Sequence, residues 1–282
     1  MAKLVIVTHL YDVFARQLPA DGTIVSSYLL SDVLRHLTVL GHSWVVTRGI
    51  MTVEADAALL HVDATRVGDE YLALARHYGR TINFGTNDIS KRKVSSLLLE
   101  KGDGWDGRVV VKSNLNCAGA PEWRHNAGAR QSGLPLPYPA LRRGGPYVVL
   151  DRISDVGDEI WADDDLVVER FIPEVDEDGG YALRTWIFMG ERERCTRTVN
   201  RDWIVKAAGA IKTEPVEVPA ELRAERERLK FDFGKFDFVM SEGKPILLDA
   251  NRTPGTANAL ETLIRAGSRN LAEGLHGLLT DN

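Results

Sequence analysis

The sequence predicts an α/β protein whose C-terminal part becomes α+β. Three observations carry this. Short β-branched apolar runs alternate with helical patterns over roughly the first 85 residues. A strand ending on a lysine precedes a long stretch rich in Gly, Pro and Arg. Residues 181–251 contain two strand pairs, each bent around a glycine.

The elements follow in order. KLVIVTH, from Lys3 to His9, is a continuous apolar run of the kind a buried parallel strand needs. Residues 23–42 carry apolar side chains at helical spacing, with Gly41 as the stop. SWVVTR and ALLHVD read as two further strands, DEYLALARHYG as a helix closed by Gly79, and TINF as a fourth strand. SKRKVSSLLLEKG reads as a helix capped by Asp88 or Ser90. RVVVKSN is a strand ending near Lys112. Residues 115–146 are too long for a simple connection and read as a functional loop or mobile lid. DLVVERFIPE is a strand, and residues 181–200 are two strands around Gly190. AELRAERERLK is a helix opened by Pro219, and residues 256–279 form a terminal helix broken near Gly267.

Composition narrows the function. The chain has 282 residues, of which 44% are hydrophobic and 27% charged, as in an ordinary globular protein. A net charge of −5 gives no basic field for nucleic acid. Two cysteines, Cys117 and Cys195, without a CxxC pair, argue against a disulfide framework or a zinc knuckle and fit a reducing cytoplasm. The opening apolar run is too short for a signal peptide or a membrane span. No GxGxxG follows the first strand, so a dinucleotide site of that kind is not supported. Open α/β sheets bind ligands at the carboxyl ends of their strands, which brings His9, Tyr11 and Asp12 into consideration.

The most informative stretch is FDFGKFDFVMSEGKPILLDANRTPG, from Phe231 to Gly255. It alternates like two strands around a tight turn. With Glu242–Gly243–Lys244 as a three-residue loop, Asp237 stands directly opposite Asp249, and Asn251 shares their face. Opposed carboxylates destabilise a hairpin unless something neutralises them. A hard divalent cation would do so, and two carboxylates plus an amide oxygen suit Mg²⁺. The alternative is a solvated face on which Lys235 neutralises one aspartate.

The order of these pieces resembles the ATP-grasp superfamily, including D-alanine–D-alanine ligases and ribosomal-protein glutamate ligases. RVVVK, then a loop, then VVERFI, then a carboxylate hairpin ending DANRTPG follow one another as they do there. The resemblance implies an ATP-grasp fold behind a Rossmann-like pre-ATP-grasp domain. It divides the chain into 1–88, 89–168 with a mobile loop 115–146, and 169–282 with the metal site. It implies that Lys112 contacts phosphates, with Lys91 as an earlier nucleotide lysine and Lys93 as its rival. Glu169 would sit by the adenine amine, and the backbone of Arg170 and Phe171 would pair with the ring edge. Asp176, or else Glu174, would take the ribose. Asp237, Asp249 and Asn251 would bind Mg²⁺ with ATP, and Lys235 would face the phosphates. Arg197 and Lys206 would contact the γ-phosphate or an acyl phosphate. Arg184 would contact phosphate or a substrate carboxylate. Arg184 and Arg197 alternatively pair with acids such as Asp176 or Glu193.

Three departures stand out. Asp249 replaces a glutamate common in the family, and the phosphate loop SNLNCAGAP holds one glycine, Gly119. Lys112 and Glu169 lie 57 residues apart, longer than the compact ligases lead one to expect. The resemblance implies a cytoplasmic ligase that joins a small carboxylate to an amine through an acyl phosphate. It binds neither nucleic acid nor membrane, and it can pair as a homodimer, as family members often do. The alternatives are a kinase or an ATP-binding regulatory protein on the same fold. Arg124, Arg130, Arg142 and Arg143 are candidates for a substrate carboxylate.

Overall fold

The computed structural model describes residues 1–16, 27–142, 144–206, 209–256 and 261–280, with side chains of the last helix from residue 267 onward. Its first sheet is parallel, in the order β2–β1–β3–β4. The strands are β1 (Lys3–Thr8), β2 (Ser43–Arg48), β3 (Ala57–Leu60) and β4 (Thr81–Ile82). Leu4, Val5, Ile6 and Val7 are all fully buried, which is why this strand reads as an unbroken apolar run. The helices of this region are α1 (Val13–Arg16), α2 (Leu29–Val39) and α3 (Asp69–Ala75). α2 covers one face with Leu30, Val33, Leu34 and Leu37, and α3 covers the other with Tyr71, Leu72 and Leu74.

α4 (Lys91–Val94) is a single turn, shorter than the sequence pattern suggests. The residues beyond it pair with a neighbouring strand instead. Leu99 donates its N–H to Val168, Leu97 accepts from Arg170, and Leu98 bridges Glu169. Tertiary pairing overrides helical periodicity here. β5 (Val109–Ser113) is central to a three-stranded antiparallel sheet, β6–β5–β7, with β6 (Val148–Leu150) and β7 (Leu166–Arg170). The expected boundary after residue 168 therefore falls inside β7.

The segment 115–146 is not simply a loop. It contains α5 (Ala120–Gln131), entered through a left-handed turn at Cys117, Ala118 and Gly119 with φ of 47°, 54° and 75°. Polar groups dock this helix, so it has no apolar stripe to read in the sequence. Glu122 accepts from Thr65 N at 2.6 Å, Arg124 pairs with Asp63, and His125 stacks on His9 at 3.7 Å. A short α6 (Asp158–Trp161) precedes β7.

The six-stranded sheet has the order β11–β10–β9–β12–β13, with β8 added on β9. Its strands are β8 (Glu174–Val175), β9 (Tyr181–Met189), β10 (Arg192–Asn200), β11 (Lys212–Pro215), β12 (Phe233–Ser241) and β13 (Lys244–Asn251). α7 (Ala220–Arg228) supports it over Trp186, Phe188, Phe236 and Phe238, all fully buried, the first three with their rings in edge-on or tilted contact. α8 (Glu261–Thr280) runs unbroken through Gly267 and packs Leu271, Ala272 and Leu275 against α2 and the first sheet. Gly274 lets the same helix approach the end of β9: a Cβ there would lie 2.0 Å from the Met189 carbonyl. Among the described residues no helix is long and apolar enough to cross a membrane.

Candidate active site

A cavity of about 330 Å³ lies between the three-stranded sheet and the inner face of β9, β12 and β13. Strand alternation decides what enters it. On β5, Val109 and Val111 pack into the small core while Val110 and Lys112 face the cavity. Glu169 is directly opposite Val110 in the register, so it shares that face. Lys112 Nζ reaches Glu169 Oε2 at 2.7 Å, with the side chains only 7% and 1% exposed. Glu169 Oε1 has no hydrogen-bond partner among the described residues.

The hairpin brings Asp237 directly opposite Asp249, as the sequence suggests, but by a different route. The turn has two residues, Glu242 and Gly243, with φ of 51° and 76°, the mirror-image turn that matches strand twist. A β-bulge beside Asp237 then restores the opposition that a three-residue loop would have given. Each aspartate holds a lysine. Lys235 Nζ is 2.6 Å from Asp237 Oδ2, and Lys91 Nζ is 2.6 Å from Asp249 Oδ1. Thr185 Oγ1 donates to Asp237 at 2.8 Å. Burial alone would raise the Asp249 pKa; Lys91, Lys235 and Lys112 overcome it and hold the carboxyl below its usual range. Burial would likewise lower Lys91 and Lys235, and their aspartates reverse this, so both ammonium groups stay charged.

Lys112, Glu169, Lys206, Asp237 and Asp249 thus line one cavity, with Arg170 and Phe171 in its wall. Lys91 and Lys235 join it through the aspartates. Asn251 pairs with Lys235 across the hairpin, and its Oδ1 accepts from Thr253 N at 2.8 Å. No group of three or more His, Cys, Asp or Glu side chains among the described residues is arranged to hold a metal unaided. Two opposed aspartates with an amide oxygen nearby fit a hard cation that brings other ligands, such as water or phosphate oxygens.

Four expectations do not hold. Arg184 stands opposite Phe238 and Arg197, on the face away from Asp237 and Thr185. It binds Glu174 through Nε at 2.9 Å, while Arg197 binds Glu174 at 2.8 Å and Asp176 at 2.6 Å. Strand alternation therefore puts Arg184 and Arg197 on the face away from the aspartate pair, and Asp176 is engaged in an ion-pair network with Arg197. The backbone N–H groups of Arg170 and Phe171 are taken by Leu97 O and Arg108 O, both at 2.9 Å, so neither can donate to a ring edge. The Arg170 guanidinium turns to Ser96 O and lies over Trp105.

The sequence pattern passed over Ile172, Tyr147 and Trp203. Ile172 lines the cavity just beyond the end of β7, and its N–H makes no hydrogen bond among the described residues. Pro173 follows it and has no N–H to offer, a signal that the pairing ends there. Trp203 meets Phe171 edge-on at 5.4 Å and Tyr147 at 6.4 Å, giving the cavity an aromatic wall. Arg252, next to Asn251, is fully buried and donates to the carbonyls of Val62, Ala64, Thr65 and Thr86. It fixes the hairpin end to the first sheet.

The carboxyl ends of β1 and β3 hold a second polar cluster. His61 is fully buried and neither ring nitrogen has a hydrogen-bond partner among the described residues. Desolvation pushes His9 and His61 down to about 4, and desolvation followed by Asp63 pushes Asp12 up to about 7. Between about pH 4 and 6.5 the unfolded chain therefore binds more protons at the two histidines, and stability falls on acidification. Asp12 acts oppositely up to about pH 7, since its folded form keeps a proton the unfolded chain has lost. Two histidines outweigh one aspartate, so stability peaks near pH 6.5. Urea unfolding from pH 5 to 8 checks this; a steady rise to pH 8 would contradict it. His61→Phe removes an unsatisfied buried group and should raise stability by about 1 kcal/mol, while flattening the acid limb of the same curve.

No family model and no curated protein matches the sequence. Solved structures do match its fold. D-alanine–D-alanine ligase from Bacillus anthracis, complexed with ATP, aligns with a TM-score of 0.53 at 14% identity, over 99% of this chain and 97% of that one. A RimK domain ATP-grasp protein from Sphaerobacter thermophilus aligns at 0.48 and 14% identity, over 96% and 100%. Macrocyclase MdnC from Microcystis aeruginosa, bound with its precursor peptide MdnA, aligns at 0.48 and 11%, over 98% and 99%. With its two sheets closing on one cavity and an opposed aspartate pair at the end of the final hairpin, the chain has the ATP-grasp fold.

Proposed function

We propose that this protein is an ATP-dependent ligase that activates a substrate carboxylate as an acyl phosphate and joins it to an amine, releasing ADP and phosphate. The observation that carries this reading is the set of three lysine–carboxylate pairs around one cavity: Lys112–Glu169, Lys235–Asp237 and Lys91–Asp249. Phosphoryl transfer needs positioned cations more than acid–base groups. Here Lys91 and Lys235 are held charged by their partners.

The apolar wall of Val110, Phe171, Ile172, Leu183 and Trp203 suits a purine, and Glu169 Oε1 and the Ile172 N–H, both without partners among the described residues, would meet its polar edge. Lys112, Lys206 and Lys235 would face the phosphates. Asp237, Asp249 and Asn251 would hold Mg²⁺, which neutralises phosphate charge when bound. Tyr147 and Trp203 would keep water from the acyl phosphate. Lys206 alone of the three expected catalytic residues lies in this arrangement.

Incubation with Mg·ATP and a panel of carboxylic acids and amines should release ADP and phosphate in step with an amide detected by mass spectrometry. ADP at background with every pair, unchanged in Asp249→Ala, would refute the reading. A phosphorylated acid as the final product would identify a kinase on the same site.

A further inference from the structure

Asn251 is held by groups that lie outside the cavity. Its Oδ1 accepts from Thr253 N at 2.8 Å and lies 3.2 Å from Thr253 Oγ1. The same buried hydroxyl is 2.8 Å from Asp63 Oδ1. A hydroxyl has one hydrogen, so only one of these two oxygens receives it well. The carboxylate takes it, being both nearer and charged. An amide oxygen has two lone pairs. On Asn251 one accepts the Thr253 N–H, and the hydroxyl hydrogen, drawn away by Asp63, leaves the other open.

Asp63 is fixed from several sides. It is buried, and its Oδ2 accepts from Tyr28 Oη at 2.6 Å and from Arg124 Nη2 at 2.9 Å. Its N–H donates to Asp12 Oδ2 at 3.2 Å. Arg252 stands between Asn251 and Thr253 in the chain, and its guanidinium binds the carbonyls of Val62, Ala64 and Thr65, on either side of Asp63. Residues 62–65 and 251–253 are therefore locked to each other. Asp63 itself does not line the cavity between the sheets. The remaining arginines of the segment 115–146 stand elsewhere: Arg130 is exposed in the last turn of α5, Arg142 pairs with Asp163, and Arg143 lies outside the described residues.

We propose that Asp63 is a positioning residue: by taking the Thr253 hydroxyl hydrogen, it keeps one lone pair of Asn251 Oδ1 free for the divalent cation that accompanies the nucleotide. Groups behind a metal's ligands set the orientation and affinity of those ligands in this way. Without that acceptor the hydroxyl would turn to Asn251 Oδ1, which is within its reach, and occupy the lone pair. This inference rests on the ligase reading, but its test needs no turnover.

Asp63→Asn keeps the shape of the side chain and inverts its polarity on one side. Its amide oxygen serves Tyr28 and the Arg124 guanidinium, which only donates. Its amino group then faces Thr253 Oγ1 and turns the hydroxyl hydrogen onto Asn251. Calorimetric titration with a non-hydrolysable ATP analogue, with Mg²⁺ and with the metal chelated, gives the ratio of affinities due to metal. Asp63→Asn should lower that ratio by about fivefold, the effect of one hydrogen bond, with the metal-free affinity unchanged. Adding Thr253→Val to Asp63→Asn removes the hydroxyl and should restore the ratio, which a merely structural defect would not do. If Asp63→Asn fails to fold, Thr253→Val alone decides, and it should keep the ratio of the unsubstituted protein. A ratio untouched by Asp63→Asn, a loss that Thr253→Val fails to repair or itself causes, or equal weakening with and without Mg²⁺ overturns the proposal and leaves the ligase reading in place. Binding to the unsubstituted protein that ignores Mg²⁺ overturns both.

Discussion

Asp249→Ala is expected to reduce Mg·ATP-dependent ADP formation by about two orders of magnitude or more and to destabilise the fold at the same time. The second effect comes from Lys91. Its side chain is 2% exposed and Asp249 is its only ion-pair partner among the described residues. Removing one member of such a pair leaves a charge buried alone, at a cost of about 3 kcal/mol. The two effects separate in the double variant Lys91→Met, Asp249→Leu. A well-packed apolar pair should restore stability, measured by chemical denaturation, while ADP formation stays lost. Recovery of turnover in the double variant would show that Asp249 serves only to neutralise Lys91.

Lys112→Met is expected to be the next most damaging change. It leaves Glu169, 1% exposed, with neither carboxylate oxygen paired among the described residues, since Oε1 already lacks a partner there. The expected loss is again about 3 kcal/mol. Lys112→Met with Glu169→Gln should return most of that stability but not nucleotide binding, which is expected to weaken about tenfold or more for want of the lysine charge. Calorimetric titration of both variants with a nucleotide analogue checks this. Unchanged affinity in Lys112→Met would mean that Lys112 only solvates Glu169.

Strand alternation explains which parts of the site were legible in the sequence. Lys112, Asp237 and Asp249 sit on strands whose pleat can be counted from their apolar neighbours, so their shared cavity follows from residue order. Arg184 and Arg197 obey the same rule, and counting from Thr185 would have placed them on the far face. The resemblance favoured them by position along the chain, which does not encode face. α5 was hidden for another reason. Its docking contacts are Glu122, Arg124 and His125, and a helix held by polar contacts leaves no apolar period to detect. The one-turn α4 failed in the opposite sense: VSSLLL looks helical until Leu97 and Leu99 find backbone partners on β7. The hairpin register was reached by two compensating features, a two-residue turn and a bulge, that alternation alone does not distinguish from a longer loop.

The central claim is that three lysine–carboxylate pairs open toward one cavity to receive a nucleotide with its divalent cation. Calorimetric titration with a non-hydrolysable ATP analogue, with Mg²⁺ and again with the metal chelated, tests it most directly. The account predicts saturable one-to-one binding that weakens by about tenfold or more without metal and by about tenfold or more in Lys112→Met, Glu169→Gln. Absence of binding, or binding of equal strength with and without Mg²⁺ that survives those substitutions, would contradict it.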